Sequence, residues 1–292
     1  MALLLRLRHR IPYVCYVHGE DVGTAAKSRE QAFLVRRVFR NARGVIANSH
    51  NTAALLQDRW KLPAERVRVL HPGVDVDLFA PAPPDGAVRR QLGWQGRTVI
   101  LTVGRLQLRK GQDQMIRALA RVRQSFPDVL YAIIGDGEQR VHLAELARAE
   151  GVEEHVQFRG ETCDAELIRC YQQCDLFVLP NREINGDIEG FGMVLLEAQA
   201  CGRTVVAGVS GGTADTMRAP QTGRLVRCDR PEPLAELVTQ LLGDAPLRRQ
   251  MGEAGRAWVE EHFSWDALSR EAAALFQEQA SMQTNLRSPS CV

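Results

Sequence analysis

Two glutamates, Glu189 and Glu197, frame a segment whose residue types are suited to binding a polar ligand. The segment opens with a Gly-Phe-Gly turn, continues as an apolar run and follows the β-rich stretch 176–179. In an open α/β sheet, ligands bind in the crevice beyond the carboxyl ends of the strands. Because carboxylate oxygens accept hydrogen bonds, glutamates placed there are suited to binding sugar hydroxyl groups.

The spacing of the two glutamates predicts different positions for them. If a helix begins near Gly192, Glu189 lies in the loop before the helix and Glu197 lies inside it. The two carboxylates then do not share one helical face, and we expect them to contact different parts of an extended ligand. Acidic residues near a helix start are also common as partners of the helix dipole, so either glutamate alone is compatible with a structural role.

A second loop contributes positive charge. The stretch 98–103 is typical of a buried strand, and it runs into Gly104, Arg105 and, five positions later, Lys110. A glycine lets backbone N–H groups approach a ligand, and a helix N-terminus favours an anion. With two cations added, the loop is suited to binding a diphosphate.

The same pattern of strand, glycine-rich loop and amphipathic stretch occurs again after 130–134, where Gly135 and Gly137 follow, and after 204–207. Strands alternating with helices at this length predict a parallel α/β sheet with right-handed crossovers, in which all these loops open on one edge. The turn at Gly135 and Gly137 taken alone is explained equally well by a strand end or by ligand contact.

Together these motifs resemble those of family 4 glycosyltransferases, two-domain retaining enzymes that use nucleotide-activated sugars. The run 187–192 is especially similar to the bacterial mannosyltransferases that modify phosphatidylinositol mannosides. The resemblance extends from His18 to Trp265. It implies a GT-B type fold of two Rossmann-like domains with parallel sheets, the first of them incomplete because family members begin with a longer first domain.

The resemblance also implies roles for individual residues. Arg105 and Lys110 would bind the donor diphosphate, Glu189 the hydroxyls of the transferred sugar, and Glu197 the ribose hydroxyls. His18, which follows the stretch 13–17 in a His-Gly turn, would face the sugar from the other domain. The implied catalytic set is His18, Glu189, Arg105 and Lys110. The remaining implied donor-binding residues are Gly104, Gly135, Gly137, Gly190, Phe191, Gly192, Met193 and Val194.

The activity implied is transfer of a hexose, with mannose from GDP-mannose favoured, to a lipid or glycan acceptor. Positioned cations can stabilise a departing diphosphate without a metal, so we expect no cofactor and no metal. The alternative is a truncated, inactive module that binds a nucleotide sugar. A hydrolase with two opposed carboxylates would leave Arg105 and Lys110 unexplained, and no signature of a phosphorylase or an epimerase is recognisable.

Composition sets bounds on these hypotheses. A chain of 292 residues with 45% hydrophobic residues can bury a large core and usually forms two domains or one large α/β unit. The net charge of +2 argues against a nucleic-acid partner. The seven cysteines lack a paired zinc motif, although Cys170 and Cys174 are four apart. We expect reduced cysteines and a cytoplasmic protein, because the opening apolar run is too short for a signal peptide.

Charge is uneven along the chain. Residues 1–43 contain nine Arg and Lys against three Asp and Glu, and nine minus three gives +6. A basic, solvated helix face explains this excess. The other interpretation is peripheral contact with anionic lipid at the inner face of the membrane.

The cluster of prolines at 81–84 predicts a domain boundary. The Asp-Val-Asp sequence at 75–77 is interpreted as a turn entering the linker rather than as a metal site. The predicted organisation is a partial acceptor-side domain at 1–80, a linker at 81–94, a nucleotide-sugar-binding domain at 95–262, a helix crossing back to the first domain at 263–280 and a frayed tail at 281–292.

Overall fold

The computed structural model describes residues 1–26 and 28–285. Contacts divide the chain into two compact units, Met1–Gly73 with Phe263–Val292, and Val74–His262. Each unit contains one parallel β-sheet, which confirms the predicted α/β class with two parallel sheets.

The first unit has a three-stranded sheet in the order β1-β2-β3. Its central strand is buried along its whole length, as its apolar run predicts. Two of its helices, α3 and α4, start at side-chain caps: Ser28 accepts a hydrogen bond from the Gln31 N–H, and Ser49 accepts one from the Thr52 N–H. The elements are α1 (Ala2–His9), β1 (Val14–Val17), α2 (Glu20–Ala25), α3 (Arg29–Asn41), β2 (Gly44–Ala47), α4 (His50–Asp58) and β3 (Val67–Val69).

The second unit has a six-stranded parallel sheet in the order β6-β5-β4-β7-β8-β9. The chain winds outward from β4 in one direction and from β7 in the other, so the switch point lies between these two strands. The elements are α5 (Gly86–Gln91), β4 (Thr98–Val103), α6 (Gln112–Ser125), β5 (Val129–Ile134), α7 (Arg140–Ala149), β6 (Val156–Gly160), α8 (Asp164–Gln173), β7 (Leu176–Leu179), α9 (Met193–Ala200), β8 (Val205–Gly208), β9 (Gly223–Val226), α10 (Pro231–Gly243) and α11 (Ala245–His262).

Helices cover both faces of this sheet, and each face has its own core. Ile100 and Val178 belong to one core, while Leu101 and Phe177 belong to the other. All four side chains are fully buried. Burial on both faces explains why these strands are continuous apolar runs rather than alternating ones.

The segment predicted as a linker packs against the second unit. The Gln173 side chain donates to the carbonyl of Pro83 at 3.1 Å and accepts from the N–H of Asp85 at 2.9 Å, and α5 lies within this segment. Upstream, the Asp75 carboxylate accepts from the N–H groups of Asp77 and Leu78, which forms a turn. The division between units falls after Gly73, seven residues before the predicted end of the first domain at 80.

The last helix, α12 (Trp265–Asn285), belongs to the first unit. It includes the first residues of the predicted tail 281–292, and residues 286–292 lie outside the described residues. A Cβ atom on Gly73 would lie 2.5 Å from Leu268 Cδ1 and 3.1 Å from the carbonyl oxygen of Phe263, so the start of α12 packs closely on Gly73. Across the part of the chain that the structure describes, no helix combines the length and apolar character needed to cross a membrane.

Candidate functional site

The β4–α6 loop is held by a close backbone approach. After β4, Arg105 is exposed, a single 3-10 turn covers Leu108–Lys110, and Gly111 adopts φ +75° at the start of α6. A Cβ atom on Gly111 would lie 1.8 Å from the carbonyl oxygen of Pro180, which follows β7. Only glycine fits there, so the loops after β4 and β7 are in contact.

Glu189 is the centre of a buried charge cluster. It is 8% exposed, and its Oε2 accepts hydrogen bonds from Arg109 Nη1 at 3.0 Å and from Lys110 Nζ at 2.5 Å. Arg109 Nε also pairs with Asp187 Oδ1 at 3.3 Å. We call Arg109, Lys110, Asp187 and Glu189 the paired cluster. Its two positive and two negative charges compensate one another, which offsets the cost of burying Arg109, Lys110 and Glu189, whereas the Asp187 side chain is half exposed.

The structure thus brings two of the predicted site residues together directly, Lys110 and Glu189. Arg105 lies on the same loop as Lys110 but forms no ion pair with any described residue. Arg109 has no role among those predicted from the sequence. Its position beside Lys110 was visible, but nothing in the local pattern showed that its guanidinium is buried.

A second buried ion pair supports the loop that carries the paired cluster. Arg182 Nη1 and Nη2 donate to the two oxygens of Asp113, at 2.8 and 2.9 Å. The Arg182 N–H also donates to the carbonyl of Arg109 at 2.8 Å. This two-point contact joins the loop after β7 to the first turn of α6 and fixes the backbone beneath the Arg109 side chain.

Close packing explains why glycine occupies two positions after β5. A Cβ atom on Gly135 would lie 2.2 Å from the carbonyl oxygen of Gly104, and one on Gly137 would lie 2.7 Å from that of Leu106. Both therefore allow the turn after β5 to pack against the loop after β4. Their predicted contact with a donor, like that of Gly104, stays a prediction.

The start of α9 lies next to Glu189 in sequence. Gly192, at φ +100°, caps the helix and accepts a hydrogen bond from the Leu195 N–H at 2.9 Å, whereas the N–H groups of the two preceding residues have no acceptor within the helix. Those N–H groups, at Met193 and Val194 in the predicted set, form the positive end of the helix dipole. The carbonyl of Glu189 accepts from the Gly212 N–H at 2.9 Å, which holds the segment that includes Gly190 and Phe191 against the loop after β8.

Glu197 lies on α9 and is bound to the protein through one oxygen. The hydroxyl of the fully buried Tyr171 donates to Glu197 Oε2 at 2.6 Å. Burial raises the pKa of Glu197 above its ordinary value, an effect that the hydrogen bond from Tyr171 opposes. Its predicted contact with ribose hydroxyls stays a prediction.

His18 belongs to the first unit, where it follows β1 at the carboxyl edge of the three-stranded sheet. The side chain is exposed, its ring lies 4.9 Å from that of Tyr16, and its carbonyl accepts from Asn48 Nδ2 at 3.3 Å. Its predicted approach to the transferred sugar stays a prediction.

The cysteines of the second unit are mostly buried. Burial raises the pKa of the Cys170 and Cys201 thiols to about 12, and it raises that of Cys174 as well. These thiols are protonated at neutral pH, and a protonated thiol is a poor nucleophile and metal ligand. These buried cysteines therefore serve as packing residues of the core.

Comparisons with known proteins agree with this geometry. The family model "Glycosyl transferases group 1" matches residues 86–258, and "Glycosyltransferase Family 4" matches residues 1–78. A GDP-mannose-dependent alpha-(1-6)-phosphatidylinositol monomannoside mannosyltransferase of Mycolicibacterium smegmatis is 36% identical over 265 residues, 90% of this chain and 69% of that protein. A monoacylated-substrate counterpart of Corynebacterium glutamicum is 40% identical over 212 residues, 71% of this chain and 55% of that protein.

Among solved structures, Anabaena HepE in complex with UDP and glucose matches with a TM-score of 0.82 and 25% identity, over 94% of this chain and 74% of that one. The chain spans 55–69% of the length of the two curated relatives. The resemblance read from the motifs and the predicted GT-B architecture are confirmed. The chain belongs to the glycosyl transferases group 1 family, the class of hexosyltransferases predicted from its sequence.

Proposed function

We propose that the chain transfers a hexose, with mannose favoured, from a nucleoside-diphosphate sugar to a lipid or glycan acceptor. The relatives named above use GDP-mannose and act on phosphatidylinositol monomannosides, which supports GDP-mannose as donor and a glycolipid as acceptor. The observation that carries the proposal is the paired cluster, which lies beside the exposed Arg105 and the start of α9. Positive groups suited to binding a diphosphate therefore occur there together with a carboxylate suited to accepting hydrogen bonds from sugar hydroxyls.

The balance of charge suggests how a diphosphate is bound. Asp187 and Glu189 already neutralise Arg109 and Lys110 within the paired cluster. The uncompensated positive charge is that of Arg105, together with the N-terminal end of α9. In the proposed function, Arg105 therefore makes the first contact with the diphosphate, and Lys110 contributes by sharing its ammonium group between Glu189 and a phosphate oxygen.

Glu189 is suited to orienting the sugar. The hydrogen bonds that Arg109 and Lys110 donate to its side chain both use Oε2, so Oε1 keeps its lone pairs for a sugar hydroxyl. A carboxylate whose charge is shared with two cations is a weak nucleophile. This supports a mechanism in which Glu189 positions the sugar, the configuration is retained without a covalent intermediate on this residue, and cations rather than a metal stabilise the leaving diphosphate.

We also propose a cytoplasmic location with peripheral contact at the inner face of an anionic membrane. The support is the basic excess of residues 1–43 and the phosphatidylinositol-derived acceptors named for the relatives. Binding to vesicles that contain phosphatidylinositol, compared with phosphatidylcholine vesicles, measures this contact.

The decisive experiment is a donor screen on the intact chain. GDP-mannose, GDP-glucose and UDP-glucose are titrated by calorimetry, and mass spectrometry follows transfer to phosphatidylinositol mannoside acceptors and hydrolysis to free sugar. We expect binding of GDP-mannose and formation of a product one hexose heavier. Binding without any transfer would favour the alternative of a nucleotide-sugar-binding module, and no binding of any nucleotide sugar would contradict both.

A further inference from the structure

A separate concentration of positive charge lies in the first unit, around a cavity of about 420 Å³. Arg66 immediately precedes β3, and the rest of the lining comes from the end of α3 and from the stretch 59–63 that follows α4. The cavity is thus at the amino edge of the three-stranded sheet, opposite the carboxyl edge that His18 follows. We call it the basic cavity, and the cations that line it are Arg36, Arg40, Arg59, Lys61 and Arg66.

The lining of the basic cavity supplies donors and lacks carboxylates. None of its five cations forms an ion pair with a described residue. Arg36 lies over the ring of Trp60 at 5.9 Å, which holds its guanidinium at the wall. The buried Nε1 of Trp60 also has no acceptor among the residues that the structure describes. A ligand here must bring acceptor atoms and negative charge.

The dipoles of the neighbouring helices offset only part of this positive charge. The carboxyl ends of α3 and α4 lie at the cavity, and each carries roughly half a negative charge. Arg66 meets one of them by donating to the carbonyls of Phe39 at 2.8 Å and Ala42 at 2.5 Å. Two such ends offset roughly one of the five positive charges. The remaining positive charge has no carboxylate partner among the described residues and attracts an anion.

We propose that the basic cavity binds a phosphate ester. Guanidinium groups match phosphoryl oxygens in charge and in planar, two-point geometry. Phe39, Trp60 and Leu62 provide an apolar wall for the carbon part of the ligand. The volume of about 420 Å³ is within the range of sites for small organic ligands, and it exceeds what a bare phosphate ion fills. This site is independent of the proposed sugar transfer.

The test uses a reporter inside the cavity. The chain has four tryptophans, so its spectrum of indole N–H groups contains four side-chain signals, and Trp60→Phe identifies the one from Trp60. The intact chain is first saturated with GDP, so that any anion site at the paired cluster is filled. It is then titrated with inorganic phosphate and with glycerol 3-phosphate. We expect the Trp60 signal to shift, with tighter binding of the ester.

Variants assign that shift to the cations. The double variant Arg40→Ala/Arg59→Ala should weaken binding of the phosphate ester by roughly tenfold or more, because each of the two substitutions removes a charge-assisted hydrogen bond. Arg40→Lys/Arg59→Lys keeps the charge and should recover part of the loss. Arg37→Ala is the matched control, since Arg37 is exposed on the same helix and is not among the lining residues. Unfolding in urea checks that each variant is folded.

The outcomes decide the proposal. A Trp60 signal that does not move with either ligand, or an affinity that falls equally in Arg37→Ala, would overturn it. A shift that is lost in the double variant and kept in the control supports it. Sedimentation with phosphatidylinositol vesicles then identifies the source of the phosphate ester. Vesicle binding that falls only in the double variant indicates a lipid headgroup, and solution binding without vesicle binding indicates a soluble ester.

Discussion

The paired cluster and the basic cavity both contain several cations close together, but they differ in whether carboxylates neutralise these charges. In the second unit, Arg109 is buried and Lys110 is half-buried, and carboxylates of the same chain neutralise them. In the first unit, five cations surround a cavity and no lining carboxylate meets them. Burial is the reason for the difference, because a buried cation requires a partner whereas an exposed one is stabilised by water.

This difference distinguishes charges that stabilise the fold from charges that are available to bind a ligand. Cations that already have carboxylate partners mainly hold loops in place, and they add little net attraction for a ligand. Cations without partners keep their attraction, and salt in the solvent weakens it. On this argument, the same substitution type should reduce stability in the paired region and reduce anion affinity where charge is unpaired.

The largest effect is expected from breaking the support of the paired region. Arg182→Ala leaves Asp113 buried without its partner and should lower the free energy of unfolding by about 3–5 kcal/mol. The matched control is Arg121→Ala, which breaks an exposed pair with Glu232 and should cost at most about 1 kcal/mol. Urea unfolding of both variants measures the difference. Equal, small losses would show that the Arg182 pair is not important for stability.

Removing the central carboxylate distinguishes sugar binding from phosphate binding. Glu189→Gln should lower kcat/KM for sugar transfer by on the order of 10²-fold, because a hydrogen bond to a charged group contributes up to about 3 kcal/mol. The same change removes the carboxylate charge beside Lys110 and leaves Arg109 paired with Asp187 alone, so GDP should bind as tightly as before or tighter. Calorimetry with GDP and a transfer assay give the two numbers. Parallel losses in both would contradict the proposed sugar role.

The two cations of the β4–α6 loop should differ. Arg105→Ala should weaken binding of the nucleoside-diphosphate sugar by about 1.5–3 kcal/mol, and Lys110→Ala by less, because the Lys110 ammonium is shared with Glu189. Arg90→Ala, on the exposed side of α5, serves as the control and should leave affinity unchanged. If the affinity is unchanged in both loop variants, the loop does not bind the diphosphate.

A smaller effect is expected for the dependence of stability on pH. Burial raises the pKa of Glu197, so the folded state keeps this proton to higher pH than the unfolded state does. Stability should therefore fall as pH rises from the ordinary glutamate value of 4.5 through the raised pKa, and Glu197→Gln should show less of this fall. Urea unfolding of both proteins between pH 4 and 7 tests this; identical slopes would contradict it.

The smallest effect, none at all, is expected from chelation. In the proposed mechanism, Arg105, Lys110 and the start of α9 stabilise the leaving diphosphate, and no metal takes part. Transfer should therefore continue at the same rate in EDTA. A rate that falls in EDTA and returns with Mg²⁺ or Mn²⁺ would replace the metal-independent mechanism.

The sequence contained enough information for the strands and for the edge at which the loops meet. Apolar runs ending in glycine predicted β4, β5 and β8, and an apolar run alone predicted β7, because burial on both faces leaves a clear pattern. Arg182 could also have been noticed from the sequence, because it is a charged residue just beyond the carboxyl end of β7. Side-chain partners were not predictable in this way, since the Lys110–Glu189 contact joins residues 79 positions apart.

Which cation remains unpaired also depends on packing. Arg105, Arg109 and Lys110 lie within six residues of one another, yet only Arg109 is buried and only Arg105 lacks a carboxylate partner among the described residues. Local sequence does not distinguish them, because the difference arises from the approach of the loop after β7. The unpaired cations of the basic cavity come from two separate stretches, 36–40 and 59–66, which is why only the folded chain shows them together.

The close approach at Gly111 has a consequence for engineering donor preference. At this position, as at Gly211, where an added Cβ would lie 1.8 Å from the Glu189 carbonyl oxygen, one loop main chain rests directly on another. Mutant libraries should leave these glycines unchanged, since any side chain there would separate the loops. Diversity is better introduced at Leu108 and Val209, which are 40% and 59% exposed on the same loops and can vary without disturbing the scaffold beneath them.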